Sequence, residues 1–253
     1  MRPFATLRTA RHFRTLLLGT SAALAASSAI TATAAAAPVI GAAHASAAQT
    51  ASTLGALTQS VSHLSDPRAL ESAVTAYYAY RAAHPNEIKT PYLYFVDFGQ
   101  SQSAQRGYVF DMQSLKVVEG PFTVAQGSGS GSGVPARFSN EARSRSTSLG
   151  LYVTGNTYAF TGHSGGQPYN SVGLRLIGKS QGFNDNAFAR GVVAHGAPYV
   201  TANRAGKSQG CPAMERDRAQ RLLPKLANGS VVFLFAPNSD WMARDQWVNA
   251  HAS

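Results

Sequence analysis

From Tyr92 onward the chain alternates short β-branched and aromatic runs with polar or glycine-rich breaks, the spacing of a sheet rather than of long helices. Tyr92–Phe98 is the first such run. Gly107–Met112 and Lys116–Val118 flank a polar turn and predict a hairpin that Phe122–Ala125 continues. Further strands are predicted at Leu149–Thr154, Asn156–Phe160, Val172–Ile177, Gly191–His195 and Ser230–Phe235. Helical spacing appears twice. After Asp66-Pro67, an N-cap with proline at the first helical position, Leu70, Val74, Tyr77 and Tyr78 recur until His84-Pro85 ends the run. Ala219, Leu222, Leu223 and Leu226 give a second apolar face within Glu215–Leu226. The fold class is therefore mainly β with peripheral α-helices.

The N-terminal stretch follows a different plan. Arg2, Arg8, Arg11 and Arg14 precede an apolar, alanine-rich segment, and Ala43-His44-Ala45 offers the small residues of a cleavage site. Residues 1–45 are expected to be a secretory signal peptide. Ser27, Ser28, Thr31 and Thr33 weaken the alternative of an uncleaved anchor, and no other stretch approaches the ~20 apolar residues of a spanning helix. Residues 46–65, small and polar, read as a linker, 66–237 as the folded domain, and 238–253 as a C-terminal tail whose Trp241 and Trp247 pack over a sheet edge. The expected destination is the periplasm or cell-wall space, with no stable membrane span after cleavage.

Composition narrows the partners. Losing residues 1–45 removes four arginines and no acid, so the formal net charge falls from +10 to +6 (18 basic against 12 acidic residues). A mildly basic secreted domain suits an anionic polymer. No basic run with interleaved aromatics supports nucleic-acid binding. Gly127–Gly133, alternating glycine and serine, has the composition of a flexible loop and lacks the Gly-Lys-Ser/Thr ending of a phosphate-binding loop, so no nucleotide cofactor is expected.

Cys211 is the single cysteine and cannot pair within the chain. Thiolate chemistry needs a base nearby and donors for an oxyanion. Gly206–Ala213 supplies a tight loop around the sulfur: amides of Gly210 and Cys211 can face an oxyanion, and Pro212 holds the loop exit. Upstream, Gly191–His195 reads as a strand delivering His195 at its end, with Gly196 offering a carbonyl to the imidazole. His163, Asp185, His195 and Cys211 fit no compact zinc-ligand spacing, and no metal is expected.

His195-Gly196, fifteen intervening residues and Cys211 within Ser208-Gln209-Gly210-Cys211 resemble the signature of the YkuD-like L,D-transpeptidases. The match is closest to the murein L,D-transpeptidase catalytic-domain branch, whose motif runs on into Cys-Pro-Ala. Phe138-Ser139-Asn140, Ser148–Thr154, Gly182–Ala187 followed by Arg190, and His195–Val200 agree as well, so the likeness spans roughly residues 70–236. It implies a β-sandwich or open barrel of the L,D-transpeptidase type. It also implies Cys211 as nucleophile, His195 as base, Gly196 as carbonyl partner of the imidazole, Ser208 as support of the loop, and Gly210 and Cys211 amides as the oxyanion hole. The sequence departs from the wider family at Gln209, often histidine, and at Pro212-Ala213, where an aliphatic residue and Arg or Asn are common. Substrate contacts then fall to Arg190, Asn184, Arg175, His163 or Gln209.

The implied activity is a cysteine acyltransferase that forms a thioester with a peptidoglycan stem peptide and passes it to an amine, cross-linking the wall without cofactor. Carbapenem acylation is implied too. Hydrolysis of the same bond, as a carboxypeptidase or endopeptidase, and a non-catalytic wall-binding module remain the alternatives.

Overall fold

A computed structural model describes the backbone of residues 39–250, with side chains from Ala47. The signal peptide expected over residues 1–45 lies outside the described residues as far as Pro38, and Ala43-His44-Ala45 falls within the backbone of helix α1 (Val39–Leu57). Residues 46–65, read from the sequence as a linker, are largely helical. α1 runs to Leu57 and a 3-10 turn covers Thr58–Ser60. Alanine-rich sequence has high helix propensity, and packing supplies the rest: Leu57 and Thr53 are buried, and Thr53 Oγ1 meets Tyr78 Oη at 2.8 Å. Among the described residues no helix is long and apolar enough to cross a membrane.

Helix α2 (Arg68–Ala83) begins where Asp66-Pro67 predicts, with Asp66 Oδ1 accepting the Arg68 amide at 2.8 Å. Its Leu70, Val74, Tyr77 and Tyr78 are buried as the stripe requires. The strands follow in chain order: β1 (Tyr92–Asp97), β2 (Gln105–Asp111), β3 (Lys116–Thr123), β4 (Gln126–Gly127), β5 (Gly150–Ser164), β6 (Gln167–Gly178), β7 (Val193–Gly196), β8 (Val200–Thr201), β9 (Arg204–Ala205), β10 (Lys207–Ser208), β11 (Ala213–Met214) and β12 (Val231–Phe235). Helix α3 (Arg216–Leu222) is shorter than Glu215–Leu226, and α4 (Ser239–Arg244) occupies the tail. That tail belongs to the core: Trp241 is buried against Phe233 and Phe235, and Trp247 Nε1 donates to Lys179 O at 2.7 Å.

Eight strands form one mixed sheet in the order β11-β7-β6-β5-β12-β1-β2-β3. β1 and β12 run parallel at its centre and are apolar and buried almost throughout, as a strand covered on both faces should be. The sheet curls until its edges meet. Ala125, just past edge strand β3, bridges Ala213 of the opposite edge strand β11, with amide-to-carbonyl distances of 2.8 and 3.4 Å. β4 extends the seam by pairing with β10. This is the open-barrel form of the expected mainly β class.

Two local expectations change. The strands predicted at 149–154 and 156–160 are one strand, β5, with a register irregularity between Thr154 and Thr157. The Gly127–Gly133 run is ordered rather than a plain flexible loop: Gly127 sits in β4, residues 128–130 form a 3-10 turn, and the Ser130 hydroxyl accepts the Thr147 amide at 3.0 Å.

The seam rests on a buried cation. Arg106 is fully buried and donates to Val124 O at 2.7 Å, to Gln100 O at 2.7 Å and to the Gln126 side-chain oxygen, with Phe98 stacked 4.6 Å away. Burial pulls its pKa down to about 9, which leaves it charged at neutral pH. A guanidinium enclosed this way is tolerated because its donors are matched by oxygens. Arg106→Met is expected to leave those oxygens unpaired and lower unfolding stability by roughly 3 kcal/mol. Urea denaturation checks this; a loss near zero would mean that the clamp contributes nothing.

Candidate functional site

The sheet register brings the sequence-selected residues together. β6 pairs with β7 so that Gly173 faces His195 and Arg175 faces Val193, and β11 pairs with β7 so that Ala213 faces His195. Directly opposed residues share a face, as do residues two apart along a strand. Cys211 stands two residues before Ala213, just outside β11, and its thiol meets the backbone of Val193 on β7. The loop backbone agrees, for the His195 amide donates to Pro212 O at 3.4 Å. On β5, Tyr158 opposes Gly173 and Phe160 opposes Ser171, so both aromatic rings lie on this face. Gly173 has a physical reason: a Cβ there would stand 2.7 Å from the Tyr158 ring.

His195 is 3% exposed. Its Nδ1 lies 3.0 Å from Gly196 O and 3.4 Å from Tyr169 Oη, and its ring stacks on Phe160 with centroids 4.4 Å apart. A carbonyl only accepts, so Nδ1 carries the proton and Nε2 presents a lone pair. Burial outweighs the carbonyl bond and pulls the imidazole pKa down to about 4. Gly196 admits no side chain, since a Cβ would meet Ser171 Oγ at 2.6 Å and Ala219 Cβ at 2.8 Å.

The cysteine loop is tied by one hydroxyl. Ser208 Oγ donates to Cys211 O at 2.6 Å and accepts from the Gly210 amide at 3.1 Å. Gly210 takes φ +126°, a backbone that L side chains rarely adopt. Its amide is thus engaged by Ser208, which leaves Cys211 N–H without an acceptor among the described residues. Cys211 itself is half-buried. Its Sγ lies 4.0 Å from Gly191 O, and enclosure pushes the thiol pKa up, against the opposing pull of the Val193 amide and the Arg190 charge. The thiol's hydrogen bond in this state runs to Gly191 rather than to the imidazole.

The five residues considered for substrate contact divide. Gln209 is exposed and lines, with Cys211, a cleft of about 520 Å³. Arg190 borders the same cleft, but its guanidinium is held internally by Ser139 O at 2.7 Å and Ser146 O at 2.8 Å. Arg175 shares the histidine face and lies over Tyr158 at 4.7 Å. Asn184 is buried and committed to the fold, accepting from the Ser180 amide and donating to Leu151 O. His163 is exposed near the tip of the β5–β6 hairpin, on the opposite side of β5 from Phe160.

Sequence reasoning missed Phe160 and Tyr169, which wall the imidazole, and Tyr158, which packs on Phe160. The signal was present in Gly165-Gly166, with φ of +58° and +80°, a two-residue hairpin turn that sets Tyr169 opposite Gly162. It also missed Arg143 and Arg145, which line the cleft.

The family model described as "L,D-transpeptidase catalytic domain" matches residues 62–235. Among solved structures, the chain is similar to an L,D-transpeptidase (Yku) from Stackebrandtia nassauensis (15% identity over 67% of this chain and 68% of that one, TM-score 0.37). It is also similar to the L,D-transpeptidase from Mycobacterium smegmatis (16%, 58% and 59%, TM-score 0.34) and to the Ldtfm–avibactam carbamoyl enzyme (16%, 59% and 49%, TM-score 0.36). The chain thus spans about half to three fifths of the length of the last two. No curated protein matches it.

Both site groups are uncharged at neutral pH, and two outcomes follow. Alkylation of Cys211 by iodoacetamide should accelerate about tenfold per pH unit from pH 7 to 9; a flat profile would reveal a standing thiolate. The unfolded imidazole binds its proton near pH 6.5 and the folded one near 4, so stability should decline as pH falls through that window, by up to about 3 kcal/mol. Urea midpoints measured across it should lose this step in His195→Gln; an unchanged slope would remove His195 as its source.

Proposed function

Because the chain belongs to the L,D-transpeptidase catalytic-domain family, we propose that it is a secreted cysteine acyltransferase that cross-links peptidoglycan, with Cys211 as nucleophile and His195 as base. The observation that supports this reading is the register: Ala213, two residues after Cys211, pairs with His195, whose Nδ1 is held by the Gly196 carbonyl so that Nε2 is left free.

The donor is an L,D peptide bond in a stem peptide, after a diamino acid. As Sγ attacks the carbonyl carbon, its proton passes to His195 Nε2, since neither a thiolate nor an imidazolium stands ready beforehand. The Cys211 amide donates to the oxyanion. When the intermediate collapses, the carbon–nitrogen bond breaks and Nε2 returns the proton to the departing amine, leaving a thioester. An acceptor amine then attacks. Its proton moves to Nε2 and on to sulfur as the carbon–sulfur bond breaks. The peptide bond's energy is kept in the thioester, so the scheme calls for no nucleotide in the periplasm or cell-wall space. Ser208 positions the loop, and Gln209 faces the incoming peptide.

Purified protein mixed with a carbapenem should gain the mass of one inhibitor, and Cys211→Ala should gain none. With a tetrapeptide stem, the wild type should release the terminal residue and form dimers, and His195→Ala should slow acylation by roughly 10²–10⁴-fold. Trimmed monomers without dimers would move the reading to hydrolysis. Intact wall binding with neither adduct nor turnover would leave a binding module.

A further inference from the structure

Residues 139–148 lead from the glycine–serine run into β5, and two of them, Arg143 (φ 63°) and Arg145 (φ 55°), adopt the left-handed backbone. Outside glycine this conformation is uncommon and persists where the surroundings over-determine it. Here they do. The Gly129 amide donates to Arg145 O at 2.9 Å, and Arg190 grips Ser144 Oγ at 3.2 Å and Ser146 O at 2.8 Å. Gly127 and Gly129 make room, for a Cβ on either would stand 2.3 Å from Arg145 O or 2.1 Å from Ser144 O.

This braced loop carries both arginines to the cleft that holds Cys211 and Gln209. Among the described residues neither guanidinium has a hydrogen bond or ion pair, and Glu141, the loop's one carboxylate, pairs with neither. Arg190, by contrast, spends both Nη groups on the loop itself. Two unpartnered guanidinium forks, held beside a nucleophilic sulfur in a cleft of about 520 Å³, fit a carboxylate.

We propose that Arg143 and Arg145 are specificity-determining residues that bind a free carboxylate of the donor peptide. This rests on the acyl-transfer reading above, which supplies a donor with two such groups. One is the terminal carboxylate of the departing residue, a single residue beyond the attacked carbonyl. The other is the side-chain carboxylate of the diamino acid.

The test compares three synthetic tetrapeptide stems: the free acid, its C-terminal carboxamide, and a form with the diamino-acid carboxyl amidated. Acylation kinetics are measured for the wild type, Arg143→Gln/Arg145→Gln, the charge-retaining Arg143→Lys/Arg145→Lys, and Lys116→Gln. The last removes an exposed cation from the start of β3, where Lys116 pairs with Asp111 and does not line the cleft. The double Gln variant should raise KM for the free acid roughly 10–100-fold with a smaller change in kcat, the Lys variant should recover part of that loss, and Lys116→Gln should match the wild type. Whichever amidation raises the wild-type KM, yet leaves the double Gln variant indifferent, names the carboxylate. Equal KM for all three stems in the wild type, or an acid preference kept by the double Gln variant, would overturn the proposal.

Calorimetric binding of the same stems to Cys211→Ala protein, with and without the two Gln substitutions, separates the two readings. Acid-selective binding lost with the arginines, but no turnover in the wild type, would retain the carboxylate site and reject the acyltransferase. Turnover without acid selectivity would do the reverse.

Discussion

The candidate site exists because two distant sheet edges are made to meet. Nothing in β3 or β11 alone compels them to approach. The bridge between Ala125 and Ala213 does so over a single residue pair, and such a short contact needs reinforcement. It comes from Arg106, whose buried charge gathers the carbonyls leading into β4, and from the β4–β10 pair just beyond. Loss of a matched donor in a dry interior costs more than an ordinary hydrogen bond supplies. The segment carrying the cysteine is thereby fixed to the segment before the arginine loop, and β7 delivers the histidine between them.

Burial then sets the chemistry. A fully solvated cysteine and histidine would ionise more readily; here enclosure opposes charge on both groups. The idle thiol is thus shielded from oxidation, which proceeds through the thiolate. The single Ser208 hydroxyl both shapes the turn and occupies the Gly210 amide, one of the two donors that the resemblance implies for an oxyanion.

Much of this was legible beforehand, and the rest was lost for identifiable reasons. Strand runs such as Tyr92–Phe98 and the stripe on α2 declare themselves because burial on a regular element repeats at that element's own period. Cys211 and His195 stood out through residue chemistry and a motif. Pairing register was invisible: no local pattern says that Gly173 lies against His195, so the aromatic wall from β5 went unread. Composition misled at Gly127–Gly133, where Gly127 and Gly129 serve close packing and Gly131 and Gly133 serve positive φ. Asn184 looked polar and available because sequence does not show that both ends of its amide are already bonded inside.

The β5–β6 hairpin has one more consequence. β7 meets β6 only at Gly173–Arg175, and β12 meets β5 only at Gly150–Val153, so among the described residues the ribbon from Thr161 to Asn170 pairs only with itself. Phe160 at its base and Tyr169 on its return arm shelter the imidazole. Ribbon posture and proton affinity are therefore linked variables. Lifting the arm wets the ring and strengthens its hold on a second proton; by reciprocity, loading that proton loosens the arm. The proton affinity of His195 is thus only as constant as the two-stranded ribbon packed against it.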